Sequence, residues 1–176
     1  MADREALREL QSRLAHKLEV AKTTTVSASW LAVEAAGGHF LFPLKQSGEI
    51  FPLPGLQPVA YTQSWFLGVA SLRGGLYGVV DFGNYLGAAS SVAAAGTAAS
   101  DARLVTLNGL LELNCALLVD RLGGLRNPEA FSAQDPPPPD APAYFGHCYT
   151  DAAGLRWQEI NLQLLCTQER FVQISA

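Results

Sequence analysis

The spacing of apolar positions divides the chain into a helical start and a β-rich remainder. Near the N-terminus, leucines recur at intervals of three and four and form an apolar stripe, with Arg4, Arg8, Arg13 and Lys17 on the rest of the surface. The leucines are Leu7, Leu10, Leu14 and Leu18. This period predicts an amphipathic helix over residues 3–22, within an N-terminal segment of residues 1–24. Such a stripe packs either on its own domain or on a partner, and the first is the commoner arrangement.

From residue 28 onward, short apolar runs separated by Gly, Pro and Asn predict strands. We expect a hairpin over 30–43 with a glycine turn, strands at 47–52, 66–70, 76–82, 103–107, 110–119 and 157–160, and a last strand at 171–174. Asn161 stands where the N-cap of a short C-terminal helix is expected. Many short strands with such turns predict small barrels rather than an α/β sheet. Strand clusters on either side of an Ala/Ser-rich loop at 88–102 predict two lobes within one domain of residues 28–176.

Composition narrows the class of protein. The chain has 176 residues, 49% of them hydrophobic and 16% charged, so a folded domain is expected. Its formal net charge of −4 argues against nucleic-acid binding. No apolar run is long enough for a membrane span, and the first residues lack a signal peptide's apolar stretch, so a cytoplasmic protein is expected. Three widely spaced cysteines indicate free thiols rather than a disulfide framework.

Motifs for chemistry are weak. Asp81-Phe82-Gly83 spells the magnesium motif of kinases, but no catalytic loop or nucleotide loop accompanies it, so Asp81 is expected to cap a strand end or a turn. His147-Cys148 is one adjacent pair of possible metal ligands and does not make a site. No serine elbow is present, and no histidine is placed to activate a nucleophile. The sequence therefore predicts no enzyme activity, no cofactor and no metal.

The segment 65–82 carries the strongest functional signal. Its single cation, Arg73, stands between an apolar run and a Gly-Gly pair, and a strand ending in Val-Val-Asp81 follows. Glycines allow positive φ, so the turn presents the arginine at the surface instead of burying it. This pattern favours a surface that binds other proteins.

The same segment resembles the core signature of CheW-like domains, the coupling adaptors of bacterial chemosensory arrays. That signature reads aromatic-x-x-Gly-Val-x-x-Leu-Arg-Gly followed by Val-Val-Asp. Further similar elements occur in order over residues 28–167: Gly48-Glu49-Ile50, the run at 116–120 ending in Asp120, the run at 144–146, and the run at 159–165. Five elements in one order make the resemblance fairly specific.

The resemblance implies two packed five-stranded SH3-like β-barrels, to which the N-terminal helix and a short C-terminal helix are added. It also implies an adaptor that joins a methyl-accepting chemoreceptor tip to the regulatory domain of a CheA-type histidine kinase in membrane-associated arrays. Contacts with other CheW-like proteins are compatible with the same resemblance. The receptor-facing residues would be Glu49, Ile50, Gly68, Val69, Arg73 and Gly74. The kinase-facing residues would lie near Leu118, Asp120 and Leu122 on a second lobe.

Two positions depart from the family pattern, Ser47 and Ser71, and both could alter receptor contacts. The N-terminal helix and the tail at 170–174 are additional, and together with the segments 65–68 and 76–82 they resemble the PilI-type adaptors of the type IV pilus (twitching) system. Two other hypotheses remain open. The chain could be a stand-alone CheW-like regulator that blocks coupling, or a small-molecule-binding barrel with a pocket near Trp65 and Tyr77.

Overall fold

The computed structural model describes residues 29–88 and 101–176. The N-terminal segment and most of the 88–102 loop lie outside these residues, so the helix predicted over 3–22 is not covered. The strands are β1 Trp30–Ala35, β2 Gly38–Pro43, β3 Ser47–Pro52, β4 Phe66–Leu72, β5 Gly75–Asp81, β6 Arg103–Leu107, β7 Cys115–Val119, β8 Arg121–Arg126, β9 Phe131–Asp135, β10 Phe145–Asp151 and β11 Arg156–Ile160. The helices are α1 Phe82–Tyr85, α2 Leu162–Cys166 and α3 Glu169–Val172, with short 3-10 turns at Gly109–Leu111 and Pro128–Ala130.

Within the described residues the strands form two sheets with few helices beside them, which confirms the expected mainly β fold. One sheet has six strands in the order β8-β1-β2-β11-β10-β9, and the other has five in the order β3-β6-β7-β5-β4. The first therefore has one strand more than the five we expected. The division of the chain also differs from the prediction, since the five-stranded sheet is built from the middle of the sequence. The six-stranded sheet takes its strands from both ends, through the parallel pair β2–β11.

Both faces of most central strands are buried, and this explains their nearly continuous apolar runs. On β7, Ala116 and Leu118 face a core inside the five-stranded sheet, whereas Leu117 and Val119 face a larger core. The larger core also takes residues from the six-stranded sheet, such as Leu31 and Val33 of β1. Neighbours in a strand point to opposite faces, so one strand serves two cores. The two sheets are thus held together by a shared apolar layer.

The five-stranded sheet curls so that its two edge strands approach each other. After β3, the chain returns to the free edge of β4, where Gln57 and Val69 exchange backbone hydrogen bonds of 2.8 and 2.9 Å. In the other sheet, the edge strands β8 and β9 are consecutive in sequence and joined by the 3-10 turn at Pro128–Ala130. The curl of the five-stranded sheet therefore brings β3 and β4, which stand at opposite ends of its strand order, close to each other.

The two caps that the sequence predicted are present in the structure. Asp81 caps α1, since its Oδ1 accepts a 3.0 Å hydrogen bond from the Asn84 backbone N–H. Asn161 caps α2 in the same way, with 3.0 Å to the Leu164 N–H. The strand predicted over 171–174 is wrong, because residues as far as Val172 belong to α3 and the chain then forms a single β-bridge, between Ser175 and Thr62. Within the described residues, no helix is long and apolar enough to cross a bilayer.

Candidate protein-interaction surface

Arg73 lies at the tip of the β4–β5 hairpin. The strands close at the pair Leu72 and Gly75, so Arg73 and Gly74 form a two-residue turn with φ of 48° and 80°. Positive φ at both positions is typical of a type I′ turn, whose twist matches that of the strands. Glycine adopts this conformation freely, whereas a positive φ at arginine is uncommon. The turn therefore keeps a long cationic side chain at a position that suits asparagine or glycine better.

Glu49 is held on β3 by a local irregularity. The β3–β6 register shifts between Ser47 and Ile50, and the Thr106 hydroxyl of β6 fills the gap. Its Oγ1 accepts a 2.7 Å hydrogen bond from the Glu49 N–H and donates one of 3.1 Å to the Glu49 carbonyl. Gly48 is needed beside it, because a Cβ there would collide with the same hydroxyl. The backbone of Glu49 is thus fixed while its side chain points outward.

Ser47 also has a structural explanation. The residue is buried, and its hydroxyl donates a 3.0 Å hydrogen bond to the Pro43 carbonyl. A buried hydroxyl costs free energy unless it is paired, and this one is paired. The serine therefore fixes the β2–β3 connection, and its side chain is not at the surface.

Arg73 and Glu49 form an ion pair across the curled sheet. Arg73 Nη1 lies 3.0 Å from Glu49 Oε2, and the two side chains remain 73% and 52% exposed. Exposed pairs of this kind contribute about 0–1 kcal/mol to stability. The pair is therefore a small part of the folding free energy, although backbone strain at Arg73 and the bulge at Glu49 both serve to place it. Strain retained at an exposed position points to a binding role.

Exposed apolar side chains accompany this pair. Ile50 is 43% exposed and Leu76 of β5 is 62% exposed, while Val69 is half-buried. Ile50 pairs with Val105, whose side chain belongs to the core between the sheets, so Ile50 lies on the same face of the sheet as that core. We call Glu49, Ile50, Val69, Arg73 and Leu76 the Glu49–Arg73 surface. Sequence reasoning missed Leu76, although a large aliphatic residue directly after a Gly-Gly turn was a usable signal.

The glycines expected at the receptor face have structural roles. Gly68 is buried with φ of 129°, and a Cβ at this position would collide with the Gln57 carbonyl across the bridge that closes the sheet. Gly74 completes the hairpin turn and has open space around it. Gly68 therefore affects the Glu49–Arg73 surface only by allowing the sheet to close, and Gly74 affects it by shaping the hairpin turn.

The expected kinase-facing residues separate in the structure. Leu118 is 2% exposed and packs in the core of the five-stranded sheet, so its side chain is not at the surface. Asp120 is half-buried, and its Oδ2 accepts a 2.7 Å hydrogen bond from the Ala36 N–H, where φ is 50°. Leu122 is half-buried on β8. Moreover, β7 lies in the same sheet as Arg73, not in a second lobe as the sequence suggested.

Reactive groups are shielded within the described part of the chain. Burial raises the pKa of the Cys115 thiol to about 12 and that of Cys166 to about 11, so both stay protonated at neutral pH. Across residues 29–88 and 101–176, no group of three His, Cys, Asp or Glu side chains is arranged to hold a metal ion. The exposed ion pair and its apolar neighbours are the arrangement that best fits binding of another protein.

Comparison with known proteins shows a family match over most of this chain. The family model described as "CheW-like domain" matches residues 29–169. The chain belongs to the CheW-like domain family. The fold of this CheW-like protein is similar to the crystal structure of the scaffolding protein TtCheW from Thermoanaerobacter tengcongensis, with a TM-score of 0.67 and 15% sequence identity. The match covers 84% of this chain and 97% of that one, and at this identity it shows the fold alone. No curated protein matched the chain.

Proposed function

We propose that this CheW-like protein is a non-enzymatic adaptor that joins a methyl-accepting chemoreceptor tip to the regulatory domain of a CheA-type histidine kinase. The observation that carries the proposal is the exposed Glu49–Arg73 ion pair, flanked by Ile50 and Leu76. One cation and one anion at fixed positions select a partner with complementary charges and set its register. The aliphatic neighbours supply burial at the centre of a contact.

The attraction between Arg73 and Glu49 depends on whether water surrounds them, and this dependence favours a contact that can form and release. In water, the attraction between Arg73 and Glu49 is screened and weak. When a receptor helix covers the surface, water leaves and each charge interacts more strongly with its new partners. Individual contacts can then be weak, while an array that repeats them many times remains stable.

The kinase contact is proposed to lie around Leu122 rather than Leu118. Here Arg103, Arg121, Asp101 and Leu122 line a shallow cavity of about 300 Å³. Arg121 also lies 3.8 Å from Glu34. An arginine-lined depression with an apolar member suits a protein contact, since arginine is enriched at interfaces.

The receptor contact is tested by titrating a receptor signalling-tip fragment with wild-type protein and charge variants. Arg73→Glu and Glu49→Arg are each expected to weaken binding at least tenfold, an effect of about 1.4 kcal/mol. Arg156→Glu is the matched control, because Arg156 also forms an exposed ion pair, 3.8 Å from Asp135 on the other sheet. Equal affinity of Arg73→Glu and wild type would overturn the receptor assignment.

We further propose that the adaptor serves the PilI-type system of type IV pilus (twitching) motility, at membrane-associated arrays. The support is the sequence resemblance of the N-terminal segment, the segments 65–68 and 76–82, and the tail at 170–174. Deletion in a bacterium with both pilus and flagellar systems is expected to reduce twitching zones and leave swimming rings unchanged. The opposite pattern would assign it to the flagellar system.

The other hypotheses make different predictions. A stand-alone regulator would bind a receptor or a kinase and prevent the ternary complex. A small-molecule pocket at Trp65 is disfavoured, because its ring is buried against Tyr85 and Phe171 at centroid distances of 5.2 and 6.2 Å. The space beside Trp65 is occupied by these rings.

A further inference from the structure

A second apolar surface lies away from the Glu49–Arg73 surface, between the 3-10 turn at Gly109–Leu111 and helix α2. A groove of about 400 Å³ separates them, lined by Leu110, Leu111, Glu112, Leu113, Gln163, Cys166 and Thr167. Leu110 is 86% exposed, and Leu164 of α2 is also exposed. Glu112 supplies the charge of the lining, and its φ of 53° is uncommon for a glutamate. We call this the Leu110–Cys166 groove.

The N-terminal segment leaves the fold close to this groove. The carbonyl of Ser29, the first described residue, accepts a 3.0 Å hydrogen bond from the Leu44 N–H. Two residues on, the Gln46 carbonyl accepts from the Asn108 N–H at 2.9 Å. The Gln46 side chain bonds to the start of α2, accepting from the Leu162 N–H at 2.7 Å. Gln46 thus connects the exit point to both walls of the groove.

The distance is short enough for the segment to reach. From Ser29 through Leu44 and Gln46 to Asn108 the path is on the order of 15 Å, from two backbone pairings and two residues of chain. Residues 23–28 can span up to about 20 Å when extended. The linker therefore allows residues 3–22 to lie over the groove without disturbing β1.

The sequence of the segment suits the groove. At helical spacing, the leucines at 7, 10, 14 and 18 form one stripe, about 17 Å long at 1.5 Å per residue. Arg4 precedes Leu7 by three positions and Lys17 follows Leu14 by three, so both cations border the stripe. A cation at the border can approach Glu112, the carboxylate in the groove lining.

We propose that residues 3–22 dock as an amphipathic helix in the Leu110–Cys166 groove of the same molecule. The leucine stripe covers Leu110 and its apolar neighbours, and a basic residue pairs with Glu112. The tether raises the effective concentration of the segment to the millimolar range, which favours this occupant over a second copy at ordinary protein concentrations. The Leu110–Cys166 groove is separate from the Glu49–Arg73 surface. The test of docking and the test of receptor binding can therefore give independent results.

Two readouts on the full-length chain test the proposal. The first is hydrogen–deuterium exchange over residues 3–22, 108–113 and 162–167. The second is the alkylation rate of Cys166, which lines the groove, whereas Cys115 and Cys148 are buried. Variants are Leu10→Glu/Leu14→Glu in the segment and Leu110→Asp in the groove. Leu125→Asp is the matched control, because Leu125 is an exposed leucine on β8.

If the segment docks, both the segment variant and the groove variant should increase the hydrogen-exchange rate of residues 3–22 and the alkylation rate of Cys166. Each rate should rise by roughly tenfold or more, which corresponds to an interaction above about 1.4 kcal/mol. Leu125→Asp is expected to match wild type, and protection is expected to be independent of protein concentration. Protection that Leu110→Asp leaves unchanged would overturn the groove as the docking site. Protection that grows with concentration would assign the contact to a second copy instead, and an unprotected segment in wild type would also overturn the proposal.

Discussion

Gly68→Ala offers a sharp test of how the five-stranded sheet closes. Gly68 has φ of 129°, and a Cβ there would collide with the Gln57 backbone. The two hydrogen bonds between Gln57 and Val69 lie at this point. An alanine at this position takes an unfavourable φ and also pushes the strands apart, and both effects weaken the closure.

The expected cost follows from these contacts. An unfavourable φ costs about 1–3 kcal/mol, and loss of two hydrogen bonds costs about 1 kcal/mol each. Gly68→Ala should therefore lower the free energy of unfolding by about 3–5 kcal/mol. Because the strain is local, the two backbone hydrogen bonds between Gln57 and Val69 should weaken before hydrogen bonds in other parts of the fold.

Urea unfolding followed by tryptophan fluorescence measures the total, and hydrogen exchange of the Gln57 and Val69 amides measures the closure. Gly74→Asn is the matched control, because Gly74 also has positive φ, 80°, but open space around its Cβ position. Asparagine tolerates such φ, so the control should lose less than about 1 kcal/mol. A Gly68→Ala loss as small as the control's, with the two amides still protected, would refute the reasoning.

Further expectations concern the supports of the surface and the pH dependence of stability. Thr106→Val removes both hydrogen bonds to the Glu49 backbone and should cost about 1–3 kcal/mol in urea unfolding, whereas Thr106→Ser should retain most of them. Asp120→Ala leaves the Ala36 N–H without its 2.7 Å partner and should cost a similar amount, about 1–3 kcal/mol; an unchanged urea midpoint would contradict this role. Burial raises the pKa of Cys115 from 9.0 to about 12, so the unfolded chain loses this proton first as pH rises. Stability conferred by the protonated thiol is full below pH 9 and should fall by about 1.4 kcal/mol per pH unit between 9 and 12, a slope that Cys115→Ala should reduce.

Short-range features of the fold were accessible from the sequence. The caps at Asp81 and Asn161 and the hairpin at Arg73-Gly74 depend on residues within four positions, where side-chain chemistry and φ preferences dominate. The 3-10 turn after Asn108 was missed because a strand was expected to begin at residue 110, whereas β7 begins at Cys115. An Asn-Gly pair marks a turn without fixing its length.

Long-range pairing was not accessible in the same way. The parallel pair of β2 and β11 joins Phe40 to Gln158, and apolar periodicity does not specify which strands become neighbours. Of the candidate site, Glu49 and Arg73 were expected on one surface and form an ion pair, whereas Leu118 was expected at the surface and lies in the core. The side chains of a strand alternate between its two faces, and the period of two is the same for both. The sequence pattern therefore does not show which face packs against the rest of the protein; only the fold shows it.

The most direct test of the adaptor proposal is co-sedimentation of the kinase regulatory domain with receptor-bearing membranes, with and without this protein. Coupling predicts that wild-type protein carries the kinase domain into the pellet. It also predicts that Arg73→Glu, while folded and still bound to the kinase domain, leaves both in the supernatant. A kinase domain that sediments equally well without the protein, or a wild-type protein that excludes it from the pellet, would contradict the account.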